Sequence, residues 1–142
     1  MMRDQHHDLS LRSALAPAVY SANAAGTVID RRDFQSLTFL IQTGVGGISF
    51  TTTNKITYVL EDSDDGSTFA AVDAEDVVGA NPVSGVIRAI TAAHAQPSVT
   101  QCGYIGDKRY VRLTAQFGGT HGTGTAIAAS AVLGHPRQRP VA

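Results

Sequence analysis

Over residues 110–117, Tyr110, Arg112, Thr114 and Gln116 alternate with Val111, Leu113, Ala115 and Phe117. A period of two over a run of this length marks a strand with one buried and one wet face. Val111, Leu113 and Phe117 are the expected core set, while Arg112, Thr114 and Gln116 are expected to face out or toward a neighbour. Residues 125–133 form a second, small and apolar run, with Ile127, Ala129, Ala131 and Leu133 on one side. The glycine-rich GGTHGTGT of residues 118–125 reads as the flexible connection between the two strands.

Upstream, residues 36–43 place Leu37, Phe39 and Ile41 on one face. Leu40 interrupts the polar face, so this strand is expected to be covered on both sides. Residues 55–61 put Ile56, Tyr58 and Leu60 on one side and run into DSDDG and then STFAAV. Asp-Gly between apolar runs is a hairpin signal, because glycine supplies the positive φ that the turn needs. Residues 28–30, 83–91 and 98–105 are further strands, and Asp73 is placed to cap a single turn in AEDVV. Residues 9–16 fit either one or two helical turns before Pro17 or an extended arm. The expected fold is all-β, an antiparallel, jelly-roll-like β-sandwich of about seven or eight strands. Its expected divisions are an N-terminal arm (1–14), the sandwich (15–136) and an extended tail (137–142).

Composition narrows the function. A chain of 142 residues is one domain by length. Charged residues are 16%, against roughly 25% in an average soluble protein. A poorly charged surface costs less to bury against neighbours, which points to subunit contacts. A formal net charge of −1 argues against a direct nucleic-acid binder. Cys102 is the only cysteine, which excludes an internal disulfide and a cysteine zinc cluster and leaves it as a small strand residue. No apolar run is long enough for a membrane-spanning helix, and MMRDQHHDLSLR is polar where a signal peptide would be apolar. Synthesis in the cytoplasm of the producing cell is expected.

Candidate chemistry is sparse. Asp62, Asp64 and Asp65 could hold calcium, but the glycine and glutamate that a helix–loop–helix calcium loop needs are out of place, so a solvated turn is the better reading. The loop at 118–125 lacks both Gly-Lys-Ser/Thr and a following helix, so it is not read as a phosphate site. His121 in that loop, the His6-His7 pair, His94 and His135 have no second ligand in sequence reach and receive no catalytic role. Lys108, Arg109 and Arg112, near Tyr104 and Tyr110, could touch a phosphate backbone, but pairing with carboxylates across a sheet is the stronger reading. No catalytic, cofactor-binding or metal-binding residue is assigned, and no enzymatic activity is expected.

EDSDDGSTFAAV, followed by GYIGDKRYVRLTAQF and then TAIAASAVLGHP, resembles small virion proteins of tailed bacteriophages and gene transfer agents. In that group an Asp-Gly-Ser-Thr-Phe turn and an Arg-Tyr-Val-Arg strand recur in a compact β-sandwich. The chain looks most like the head spike base of gene transfer agents. The resemblance implies a structural subunit on the capsid exterior, at the vertices, carrying a fibre. Its implied partners are the major capsid protein, the spike fibre protein and further copies of itself, with a pentameric ring favoured to match a fivefold vertex. It implies no cofactor and no membrane. The docking candidates are Arg3, Arg12, Arg137 and Arg139, on or beside the arm and tail, which can pair with capsid carboxylates. Other placements are a head decoration or a tail or adaptor subunit. A carbohydrate-binding β-sandwich is a further alternative, weakened by the absence of tryptophan and by Tyr20 being the only tyrosine expected in a loop.

Overall fold

Alternating side chains leave each long segment with one apolar face, and those faces meet between two antiparallel sheets in the computed structural model, which describes residues 3–141. Met1, Met2 and Ala142, the ends of the expected arm and tail, lie outside the described residues. The strands are β1 (Ser10–Tyr20), β2 (Ala24–Ala25), β3 (Ile29–Asp30), β4 (Phe34–Thr43), β5 (Lys55–Ser63), β6 (Ala70–Ala71), β7 (Val77–Val78), β8 (Val86–Ile90), β9 (Ser98–Tyr104), β10 (Tyr110–Gly118) and β11 (Thr125–Pro136). Helix among the described residues is limited to the 3-10 turns His6–Asp8 and Ala74–Asp76.

Sheet one runs β1-β11-β4-β9-β7, and sheet two runs β2-β10-β5-β6. β3 also pairs with β10, and β8 also pairs with β5. β2 and β3 therefore share one strand position, as do β6 and β8. Counted by position, sheet one reads 1-8-3-6, with β7 added at its edge, and sheet two reads 2-7-4-5. That order is the jelly roll of two interlocked Greek keys. The all-β, antiparallel sandwich expected from the alternation is the observed fold. The described residues form eleven strands because two positions are broken into short pieces and β7 is extra.

Register builds the core. Leu113 lies opposite Leu60, and Phe117 opposite Ile56, in sheet two. Phe39 lies beside Ala131, and Ile41 beside Ala129, in sheet one, so small residues of β11 make room for large ones of β4. Val111, Leu113, Ile127, Ala129, Ala131 and Leu133 are all buried, and Phe117 packs against the core partly exposed. Thr114, expected to face out, does lie on the outer face but is only 9% exposed. It sits beside the equally covered Val59, in a central strand flanked on both sides.

The N-terminal boundary needs correction. The arm expected over residues 1–14 is shorter, because β1 begins at Ser10 and pairs with β11 from Ser10↔Leu133 to Tyr20↔Thr125. The helical-turn option for residues 9–16 gives way to this ladder, since pairing with a long strand outweighs a marginal local helix. Pro17 is accommodated because β1 is an edge strand and the register shifts between Leu15 and Ala18. A second correction concerns Leu40. It is only half-buried, and no third layer of strands lies on the outer face of sheet one among the described residues. The cover expected on that side does not come from this chain's own strands.

Candidate functional site

The segments EDSDDGSTF and RYVR, far apart in sequence, form one packed unit. Ser63 and Asp65 shape the turn after β5. The amides of Ser67 and Thr68 donate to Asp65 Oδ1 at 2.8 and 2.9 Å, and the Ser63 hydroxyl donates to the same oxygen at 2.8 Å. These donors, the Thr68 amide foremost, hold the Asp65 carboxyl down to about 2. Gly66 completes the turn at φ +76°, beside the Tyr110 ring. β6 then returns along β5, pairing Ala70 with Asp62 and Ala71 with Glu61, which makes the expected hairpin. Across the sheet, Arg112 donates from Nη2 to Glu61 Oε2 at 2.7 Å, and its guanidinium carbon lies 4.1 Å from the centre of the Phe69 ring.

The other two cations of the basic cluster are also matched by carboxylates. Arg109 grips Asp30 through two bonds, Nε to Oδ1 at 2.8 Å and Nη2 to Oδ2 at 2.7 Å, and lies over the Tyr110 ring. The bond from Arg109 lowers the Asp30 carboxyl below its ordinary range. Lys108 donates to Asp64 at 2.5 Å, which raises the Lys108 ammonium above its usual value. The basic cluster thus pairs with carboxylates from other strands and turns, the stronger of the two readings of its sequence. The three aspartates of DSDDG point to three different partners, because Asp62 turns inward to accept from Tyr104.

The buried polar groups join the two sheets. Tyr104 of β9 donates to Asp62 Oδ2 of β5 at 2.7 Å, and burial drives the Tyr104 phenol well above its usual range. Arg31 lies over the Tyr104 ring at 5.0 Å and donates to the Gly106 carbonyl at 3.0 Å. Thr43 of β4 and Tyr58 of β5 share a buried hydrogen bond of 2.7 Å. Arg88 of β8 reaches Ser98 and Thr100 of β9. The Tyr104–Asp62, Thr43–Tyr58 and Arg88 bonds each join a strand of one sheet to a strand of the other, so Asp62 is held in a structural link between the layers. Burial likewise pushes the Cys102 thiol up to about 11, leaving it un-ionised at neutral pH. His121 is buried against Phe50 and Phe117, with Nε2 2.7 Å from the Gly118 carbonyl, and His94 ties Gly44 to Ser98.

The docking candidates converge in part. Arg139 Nε pairs with Asp8 Oδ1 at 3.0 Å, and the Val141 amide donates to the His7 carbonyl at 2.9 Å, so tail and arm fold together instead of trailing apart. Arg137 is exposed, with its amide bound to the Asp33 carbonyl. Arg12 is exposed on β1, its guanidinium on Ser10 Oγ and the Leu11 carbonyl. Arg12, Arg137 and Arg139 each line one of three adjoining clefts, of about 450, 580 and 370 Å³, around this arm–tail junction. Arg3 is exposed on the arm. His7 Nδ1 lies 2.5 Å from Asp4 Oδ2, and His135 Nδ1 2.9 Å from Ser36 Oγ.

Tyr20 is not in a loop. It ends β1, half-buried against the core, with its hydroxyl on the Ala16 carbonyl at 2.5 Å. Tyr58 and Tyr104 are buried and Tyr110 is half-buried beneath Arg109, so the four tyrosines offer no open platform for a sugar ring. Among the described residues no helix is long and apolar enough to cross a membrane, and no group of three or more His, Cys, Asp or Glu side chains could hold a metal ion.

No family model matches the chain, and no curated protein matches it. Among solved structures it is similar to the SPBc2 prophage-derived protein YomS, at 13% identity and a TM-score of 0.48, over 89% of this chain and 92% of that one. A likeness of that degree carries no argument about what this chain does.

Proposed function

We propose that this chain is a structural virion subunit on the exterior of a phage or gene-transfer-agent capsid, forming the base of a head spike at the vertices. The observation that carries the reading is the turn–strand unit. The two motifs on which the virion resemblance rests are physically coupled, Arg112 bridging Glu61 and Phe69 while Gly66 turns against Tyr110. Their recurrence then has a mechanical reason, since together they brace one end of the sandwich. The charged side chains that could suggest chemistry are matched in structural pairs, Arg112 with Glu61, Arg109 with Asp30, Lys108 with Asp64 and Asp62 with Tyr104, which supports a scaffold reading.

In this reading the subunit repeats as a homo-oligomeric ring, with five copies matching a fivefold vertex. The arm–tail junction faces the major capsid protein, and the opposite surface carries the spike fibre. Arg3, Arg12, Arg137 and Arg139 supply cations for capsid carboxylates, and Arg139 exchanges or shares its contact with Asp8. The test is to delete residues 1–8, or separately 137–142, check by thermal melting that the sandwich survives, and quantify the protein in purified particles. Loss of incorporation with an intact fold is the expected result. Normal loading of both truncations would remove the arm–tail junction from the attachment.

A further inference from the structure

The ladder positions on the outer face of sheet one carry no charge, although the arm and tail bring Asp8 and Arg139 against its Ser36–Gly134 end. The ladder pairs define which side chains share it: one row across the sheet reads Leu11, Val132, Thr38, Gly103 and Val78. None of the outward ladder positions of β1, β11, β4, β9 and β7 is Asp, Glu, Lys or Arg. Four of its apolar side chains are more than half exposed: Leu11 at 66%, Val19 at 64%, Val78 at 54% and Val99 at 66%. The outer face of sheet two is different, carrying Arg112, Glu61 and Lys55. The charges have been segregated away from one broad face, and that face includes Leu40, the apolar residue on an otherwise polar side of β4.

We propose that this neutral face of sheet one is covered head-to-tail by a different patch of the next copy of the chain, as a closed ring requires, and is the contact between neighbouring subunits. The proposal rests on the homo-oligomer part of the reading above and names the surface that the oligomer uses. Three observations favour a copy as the occupant. A face without ionic side chains strands no charge when a neighbouring copy covers it. Homo-oligomer contacts are the more apolar class of interface, depleted of charge at their centre. The area is of the size a subunit contact uses. Leaving out Ser36 and Gly134, which the arm covers, the face's roughly fourteen ladder positions, on strands about 4.8 Å apart, give a flat footprint of about 450 Å² per copy, or about 900 Å² for the two surfaces together, close to where specific interfaces begin.

Edge-to-edge association through β1 is the poorer alternative. Pro17 removes a donor, and two register shifts bend the strand away from a straight ladder. The face itself is also shaped to receive a neighbour. A shallow apolar depression of about 360 Å³ opens on it between Val99, Pro97, Ala126 and Ala128.

Analytical ultracentrifugation of the purified full chain tests this, without particles. Ser130→Lys puts a charge near the centre of the face, Ala128→Lys is a second such variant, and Val83→Lys places the same charge at a site 76% exposed and outside both sheets. The wild type should associate at about 50 µM, and Ser130→Lys and Ala128→Lys should each weaken association by about tenfold or more at an unchanged melting temperature. Val83→Lys should associate like the wild type. A monomeric wild type, or folded Ser130→Lys and Ala128→Lys proteins that both assemble normally, would overturn the proposal. A chain that is monomeric in solution yet fully loaded on particles sinks this surface and spares the virion reading. A chain that associates through this face but is absent from particles does the reverse.

Discussion

Asp65 shows how much one side chain can hold in this fold. Three donors converge on its Oδ1, so its folded pKa of about 2 lies below the ordinary 3.8. A depressed carboxylate stabilises the fold fully above its unfolded pKa and loses that contribution as the pH falls through the folded one. Wild-type stability should therefore drop between about pH 4 and pH 2 by more than that of Asp65→Asn, measured by denaturant melts across the range. Parallel curves for the two proteins would show that the turn does not depend on this charge. Gly66 has a separate role, holding φ at +76°, so Gly66→Ala should cost about 1 kcal/mol, through backbone conformation and not through collision. Asp64→Ala, which breaks only a solvent-exposed bond to Lys108, should leave the melting temperature unchanged. The turn was legible from DSDDG. The inward commitment of Asp62 was not, because its partner Tyr104 lies 42 residues away and only the assembled sandwich brings them together.

Among the elements, β10 was the most readable and β1 the least. β10 alternates strictly, and its inner residue Leu113 is fully buried opposite Leu60, so Leu113→Ala should cost about 2–5 kcal/mol in a chemical denaturation experiment. An unchanged stability would invert the assignment of faces. β1 mixes Ala, Ser, Pro and Leu with no clean period, and its strand state comes from β11 beside it. Local preference could not reveal a partner more than a hundred residues further on. The same limit hid the links between sheets. Tyr104→Phe should destabilise by about 1–3 kcal/mol, because Asp62 would remain buried without its donor, and thermal melting beside Leu113→Ala measures this. The arm and tail are a third case. Neither has a pattern that folds alone, and the Arg139–Asp8 pair that joins them connects opposite ends of the sequence.

For the whole molecule, the separation of charge is the organising fact. Low charge content was visible in composition and suggested burial against neighbours. Where the neutral surface lay was not visible, because it depends on the register of five strands drawn from across the chain. The fold places the braced turn–strand unit in sheet two, the neutral face on sheet one and the arginine-bearing arm–tail junction at the end of β11. The proposed spike-base role would need separate surfaces for capsid, fibre and neighbouring copies, and these three regions are separate on the sandwich. The measurement that bears most directly on this account is quantitative mass spectrometry of purified, nuclease- and wash-treated particles from cells that produce the chain, before and after surface proteolysis. The account predicts the protein in the particles, at about five copies per occupied vertex, and its removal by protease while the capsid stays intact. Particles that lack the protein, with all of it left in the soluble cell fraction, would contradict it.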